Sequence, residues 1–406
     1  MKSDTYLVLE KGSVYSGLGF GSPAPLVEQL KPGQPAYTTT GEVVFNTAMS
    51  GYHEALTDPS YTGQILAMCY PHMGNYGTVD TWNESGAELG RASVRGIKAA
   101  GLVVRSLYKG PVPSGRISLH QFLLNNAIPG ISEVDTRKLT LELRDQGSQL
   151  GVLVRSSAAT LSDGEKTQAI KYLKSLPSME GSNLINDVGT SKSFVLGKDA
   201  SDTHHPDRTL RPEDLAGIKP GLKVAVYDCG AKANILRELG GFGCQVTVFP
   251  SSASAADLLK GKPDGVLITN GPGDPAVLGH QIKVIQELIG QTTVTGICLG
   301  HQLISLALGA KTYKMKFGHH GINHPVRDEL SKKVFVTSQN HGFAVDERTL
   351  PADVQVWFRN ANDHTVEGII SEHRRIYTAQ FHPESAPGPY DSLWIFGAYL
   401  RGMSQA

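Results

Sequence analysis

Between Val224 and Leu308, short apolar runs alternate with helical stretches, and this alternation narrows the possible folds more than any other feature. Val224–Tyr227, Val246–Phe249, Gly265–Thr269 and Val294–Ile297 read as strands. Asn234–Leu239, Ala255–Leu259, Gln281–Ile289 and the stretch from Leu299 through Leu308 read as helices. Such spacing implies βαβ units and an α/β fold: a mostly parallel sheet flanked by helices. Sheets of this kind bind ligands at the carboxyl ends of their strands. Two segments fall there: Asn270-Gly271-Pro272-Gly273-Asp274-Pro275, and Cys298.

The first half reads as a mixed α+β domain. Tyr6–Glu10 and Val14–Phe20 are predicted strands around a Lys11-Gly12-Ser13 turn, and Val43–Asn46 and Gln64–Tyr70 are two more. A helix is predicted over Leu119–Asn126, with Ser118 as N-cap and Gln121 completing a capping box. Another runs from Thr136 to about Asp145, capped by Asp135 and stopped by Gly147. A third starts after Ser162, with Glu165 three residues on. From Asn186 to Pro220 the pattern fades into polar stretches (Thr190–Ser193, Lys198–Arg208, Pro212–Asp214), the expected exposed linker. The expected division is therefore 1–185, a linker at 186–220, and 221–406; 406 residues suit two or three domains.

Composition excludes several function classes. Lys+Arg and Asp+Glu are 38 each, so the net charge is zero and there is no electrostatic footprint for nucleic acid or an anionic membrane. No apolar run approaches the roughly 18 residues of a membrane span. The N-terminus has the form of neither a signal nor a transit peptide. Cys69, Cys229, Cys244 and Cys298 contain no C-x-x-C pair and form no disulfide framework, which points to a reducing cytoplasm.

Three local features carry chemistry. In Gly296-Ile297-Cys298-Leu299-Gly300-His301-Gln302 a thiol stands between a strand and a helix, with glycine two residues to either side. That is the form of a nucleophile elbow, with the helix N-terminus aimed at the sulfur in a way that favours thiolate. The bland alternative is a buried core cysteine. In Phe381-His382-Pro383-Glu384 the imidazole could act as base and acid for a thiol and the carboxylate could orient it. Alone, this tetrad reads better as a solvated loop. The Asn270–Pro275 loop could offer backbone N–H groups to an oxyanion; alone, it reads as a plain turn.

Together, in this order and each at a strand end, the three resemble the class I glutamine amidotransferase domain, a Cys-His-Glu thiol hydrolase. The resemblance extends to one branch of that superfamily, the small subunit of carbamoyl-phosphate synthetase. It rests on Tyr313–Val326, Gln339–Val345, Glu42–Tyr61 and Asp135–Thr140, and runs from about Tyr6 to Leu400, including an N-terminal domain that other class I amidotransferases lack.

The resemblance implies the following roles. Cys298 is the nucleophile for the glutamine γ-carbonyl, His382 the acid–base and Glu384 its orienting group. Gly273 and Leu299 supply the oxyanion-hole N–H groups. Ala48, Gly271, Gly273, Leu299, Gln302, Asn340, Gly342 and Phe343 are the expected contacts for L-glutamine. The implied partner is a large ATP-dependent subunit that receives ammonia through a tunnel. ATP and magnesium belong to that subunit, and no cofactor or metal is expected in this chain. The N-terminal domain is the expected docking surface.

Some positions depart from the family pattern. Some members carry Ser at the position of Ala48, and losing one neutral hydrogen bond costs about 0.5–1.5 kcal/mol. His53 stands where Gln is commoner. His319, His320 and His324 are spaced H-H-x3-H, yet lack nearby cysteines, so zinc is not expected. Two other functions compete: the same chemistry serving another synthetase, and a silent regulatory subunit. The N-terminal domain argues against the first, and the intact Cys298, His382 and Glu384 against the second.

Overall fold

The computed structural model of the chain describes residues 4–35, 38–79, 83–86, 96–158, 160–197 and 212–405, which group into two compact units.

The first unit is built on a closed seven-stranded barrel. In order around it stand Thr5–Leu9, Val14–Gly21, Pro129–Ser132, Gly101–Val103, Gln64–Met68, Thr40–Asn46 and Gln149–Val154. Thr5–Leu9 pairs antiparallel with both neighbours, which puts Leu7 opposite Tyr15 and Leu153. All five of its residues are buried because each face has its own cover. Leu7 and Leu9 join a cluster with Val43, Ile65, Ile131 and Leu139. Tyr6 and Val8 pack instead with Ala169, Tyr172 and Leu173 of the helix Asp163–Lys174. Closure leaves no free sheet edge to protect.

The helices follow the expected caps with one difference. Asp135 accepts the Lys138 N–H at 2.9 Å, and Gly147 at φ +88° ends Thr136–Gln146. Ser162 and Glu165 form the full reciprocal box. Ser118 accepts the Gln121 N–H at 3.1 Å, but Gln121 Nε2 donates forward to Asn125 Oδ1 at 2.7 Å. The amide finds an i,i+4 partner on its own helix, so only half of that box forms.

The second unit contains a ten-stranded sheet. Its centre is five parallel strands, in the order Gln245–Pro250, Lys223–Asp228, Gly265–Ile268, Thr293–Ile297 and Ile376–Ala379. Successive residues of Lys223–Asp228 go to opposite faces. Val224 and Val226 pack with the helices Ala233–Gly241 and Trp394–Ser404, whereas Ala225 and Tyr227 pack with Ala255–Leu259, Gly279–Leu288 and Leu299–Ala307. Burial on both faces explains why these strands read as unbroken apolar runs.

The sheet is less parallel than expected. Beyond Ile376–Ala379 come Val366–Ser371, Gln355–Asn360, Lys311–Asp328 and Val334–Asp346, with the first three joined antiparallel. The long strand Lys311–Asp328 has three Lys, three His and two Gly among its 18 residues, a composition that hides strand character.

The expected linker is also corrected. Phe194–Val195 pairs antiparallel with Gln245–Pro250 at the sheet edge, and the Thr190 N–H donates to Asp228 at 2.8 Å. From Asn183 onward the described chain, apart from Lys316–His320, groups with the second unit. Two residues are too short a strand to stand out from polar surroundings. Residues 198–211, including His204 and His205, lie outside the described residues. The units also exchange segments: Glu84–Gly86 group with the second and Lys316–His320 with the first. No helix among the described residues is long and apolar enough to cross a membrane.

Candidate active site

Cys298 stands where the strand Thr293–Ile297 gives way to the helix Leu299–Ala307. Its backbone has φ +54° and ψ −105°, a region that a residue with a side chain rarely enters. Two bonds hold it there. The Cys298 N–H donates to the Ala379 carbonyl at 2.8 Å, and its own carbonyl accepts the Gln302 N–H at 3.2 Å. The flanking glycines make the turn sterically feasible. A Cβ on Gly300 would lie 2.2 Å from the Ile268 carbonyl oxygen, and one on Gly296 would lie 2.6 Å from Ile304 Cδ1. Strand and helix therefore approach as closely as only glycine allows. The thiol is 3% exposed, with Sγ 3.6 Å from the Asn340 carbonyl oxygen.

His382 lies just past the strand Ile376–Ala379 and is fixed by its N–H, which donates to the Ser338 carbonyl at 2.9 Å. Its Nδ1 is 2.7 Å from Glu384 Oε1, which leaves Nε2 for the thiol. Burial alone would lower the imidazole pKa. The Glu384 carboxylate and Cys298 more than offset this, and the group is raised from 6.5 to about 10. Glu384 is fully buried, which by itself would raise its pKa. The Lys232 ammonium at 3.0 Å and the His382 ring prevail and hold it down at about 2. The result is a buried Lys232–Glu384–His382 chain of alternating charge.

Lys232 has no signature in the sequence. It immediately precedes the helix Ala233–Gly241, its N–H donates to Asn270 Oδ1 at 2.9 Å, and its ammonium also donates to the Ser385 carbonyl. Asn234 donates through Nδ2 to the Glu384 carbonyl. Only burial, which no local pattern reveals, marks these two residues.

Most of the other expected residues gather around the thiol's segment. Asn340 supplies the carbonyl beside Sγ. Gln302 Nε2 donates to the Phe343 carbonyl at 2.9 Å and to Gln380 Oε1 at 3.0 Å. This ties the helix after Cys298 to the strand Val334–Asp346. Lys314 Nζ stands 4.9 Å from the Phe343 ring centroid and beside Gly342. His341, not anticipated, braces the same strand through the Phe343 carbonyl at 2.8 Å and Gln339 Oε1 at 2.9 Å. Gly271 packs against the Cys229 carbonyl so closely that a Cβ would lie 2.2 Å from it. Gly273, at φ +98°, forms a bridge with Asn183. Leu299 opens its helix, where the first N–H groups have no acceptor within the helix. Ala48 alone belongs to the first unit; it is buried, and its N–H donates to Asn46 Oδ1 at 2.7 Å. His319, His320 and His324 fall on the single strand Lys311–Asp328.

Burial pushes the thiols of Cys69 and Cys229 up, and that of Cys244 to about 12. Cys69 lies 3.2 Å from Thr140 Oγ1.

A cysteine at a strained backbone turn, an imidazole held by a carboxylate and a glycine-rich loop thus stand at neighbouring strand ends. Residues 225–401 match the family described as glutamine amidotransferase class-I. Residues 7–153 match a second family, the carbamoyl-phosphate synthase small chain, CPSase domain. The chain is 42% identical to the carbamoyl phosphate synthase small chain of Polynucleobacter asymbioticus, over 98% of this chain and 96% of that one. Identity to the small chain of Neisseria meningitidis serogroup B is 40%, over 100% and 99%. For that of Methanocaldococcus jannaschii it is 41%, over 98% of each. The chain belongs to the carbamoyl phosphate synthase small-chain family and carries its glutamine amidotransferase domain.

Proposed function

We propose that this chain hydrolyses L-glutamine at Cys298 and delivers the ammonia to a large synthetase subunit. The observation that carries this reading is the buried array itself: Cys298 at a positive-φ elbow, with His382 held by Glu384 at 2.7 Å and Glu384 by Lys232 at 3.0 Å.

With the proton of the Cys298–His382 pair resting on the His382 ring, the Cys298 sulfur attacks the γ-carbonyl carbon of glutamine. The resulting oxyanion is met by the N–H groups of Leu299 and Gly273, with Leu299 at a helix N-terminus. His382 returns the proton to the amide nitrogen, the C–N bond breaks, and ammonia leaves a glutamyl thioester. Water then adds with His382 as base, and the C–S bond breaks to release glutamate. Glu384 stabilises the imidazolium in both halves of the cycle. Gly271, Gln302, Asn340, Gly342 and Phe343 are assigned to holding glutamine.

The large subunit uses the ammonia with bicarbonate and ATP to make carbamoyl phosphate. This reading assigns ATP and magnesium to that subunit and no cofactor to this chain. The four free thiols suit a reducing cytoplasm.

The test replaces Cys298 with Ala or Ser in the complex with the large subunit. Glutamine-dependent synthesis should vanish and ammonia-dependent synthesis should remain. Glutamine turnover that persists in Cys298→Ala overturns the assignment.

A further inference from the structure

The helix Ala233–Gly241 begins with Lys232 as its N-cap residue, and a lysine side chain cannot accept the N–H groups exposed there. Other parts of the chain cap it instead. The Lys232 N–H donates to Asn270 Oδ1 at 2.9 Å, and the Ala233 N–H donates to the Glu84 carbonyl at 3.0 Å. The Asn234 N–H donates to Glu84 Oε2 at 3.0 Å. One turn on, Arg237 Nη1 donates to Glu84 Oε1 at 3.1 Å. Glu84 and Arg237 are both fully buried. Glu84 thus satisfies two consecutive N–H groups and one buried guanidinium from a position about 150 residues earlier in the chain.

This helix start also carries the two side chains that reach Glu384. Lys232 pairs with its carboxylate, and Asn234 holds its carbonyl. A shift at residues 232–234 is therefore a shift at Glu384 and, through the 2.7 Å contact, at the His382 ring. Keeping a carboxylate fully buried is costly. Burial is the largest influence on Glu84; Arg237, Lys232 and the Asn234 N–H oppose it, Glu384 adds to it, and the balance leaves the carboxyl raised from 4.5 to about 7.

We propose that Glu84 is a positioning residue for the catalytic pair: by capping the helix that bears Lys232 and Asn234, it sets the place of Glu384 and hence the orientation of His382. This rests on the reading of Cys298, His382 and Glu384 as the glutaminase site.

The test compares wild type, Glu84→Ala and Glu84→Gln in the complex with the large subunit, with Cys298→Ala as control. Two quantities are measured: kcat and KM for glutamine hydrolysis, and the titration of the His382 imidazole by NMR. Misplacing a catalytic group by a fraction of an ångström to an ångström costs about 10- to 100-fold in rate, so Glu84→Ala should lose that much kcat. KM should change by less than about twofold, because binding contacts are untouched. The His382 titration should move down from about 10. Glu84→Gln keeps one acceptor for the Asn234 N–H and should lie between the other two.

A merely structural Glu84 would lower melting temperature and leave both kcat and the His382 titration of the folded protein unchanged. That result in folded Glu84→Ala overturns the proposal. If Glu84→Ala does not fold, the same result in Glu84→Gln overturns it. Glutamine turnover that survives Cys298→Ala at the wild-type rate overturns the functional reading instead. The NMR titration still decides whether Glu84 positions His382.

Discussion

In the barrel unit, the described non-glycine residues at positive φ are Ala127 and Glu133, both exposed in turns. The sheet unit has such turn residues too, but it also holds Cys298 and Ser385 at positive φ while fully or nearly fully buried. Titration sets His382 and Glu384 apart from the buried tyrosines of both units, Tyr227 and Tyr399 included. In the barrel, Tyr15, Tyr52, Tyr61 and Tyr76 are pushed up, with burial the largest cause, toward the uncharged form. In the sheet, His382 and Glu384 are driven to their charged forms against burial. Burial by itself favours the neutral form, whereas burial beside a well-placed opposite charge fixes the charged one. Strain and fixed charge coincide at one group of strand ends, where the proposed chemistry lies.

The sharpest way to break this contrast is Lys232→Met. It leaves Glu384 buried without its cation, and removing one partner of a buried pair costs about 3–5 kcal/mol. We expect a lower melting temperature by calorimetry and glutamine turnover reduced beyond about 100-fold. Stability and turnover equal to wild type would show that Glu384 does not depend on Lys232.

Gly300→Ala comes next. A Cβ 2.2 Å from the Ile268 carbonyl forces strand and helix apart, and overpacking costs about 1–3 kcal/mol. Glutamine turnover should fall about 100-fold while the ammonia-dependent reaction persists, because the displacement is local to the elbow.

The charged pair also makes a pH prediction. Glu384, lowered to about 2, contributes stability that is fully present above about 4.5 and is lost as pH falls through about 2. His382, raised to about 10, contributes stability present below 6.5 and lost as pH rises through about 10. Glutamine turnover should fall about tenfold between about pH 9 and pH 11 as His382 loses the proton it returns to ammonia. An alkaline limb near pH 6.5 would show that Glu384 is not holding the ring.

The smallest effects belong to the barrel. Gly164 is an exposed residue in the first turn of the helix Asp163–Lys174, and a Cβ there would meet only Ser162 Oγ, at 3.9 Å. Gly164→Ala should raise stability by up to about 1 kcal/mol in denaturant titration and leave turnover unchanged. Arg144→Ala removes an exposed pair with Asp145 and should leave the melting temperature where it is.

Much of the proposed site is legible in the sequence because its constraints are local. The glycine frame around Cys298 encodes a close approach of strand and helix, and the structure shows both glycines in contact with neighbouring elements. His382 and Glu384 are two residues apart, so their pairing needs only one turn of chain. Lys232, Asn234 and Glu84 are not legible, because their partners are about 150 residues away in sequence and their burial depends on the finished fold. Phe194–Val195 is a two-residue strand in a polar stretch, too short to leave a pattern. Gln121 fits the capping-box pattern as well as Glu165 does, yet a neighbouring Asn125 takes its amide. The glutamine contacts come from family resemblance, since Gly342 and Phe343 have no chemical signature of their own.

The placement of Glu84 bears on how a gene like this can be divided. A fragment starting at Asn183 keeps Cys298, His382 and Glu384, and by the sequence match alone it would pass for a self-sufficient amidotransferase. It would lack the acid that neutralises Arg237 and the acceptor for two N–H groups of the helix beneath Glu384. The catalytic half is thus not a portable module. Any split, transplant or fusion must bring the short Glu84 segment with it or supply another carboxylate in its place.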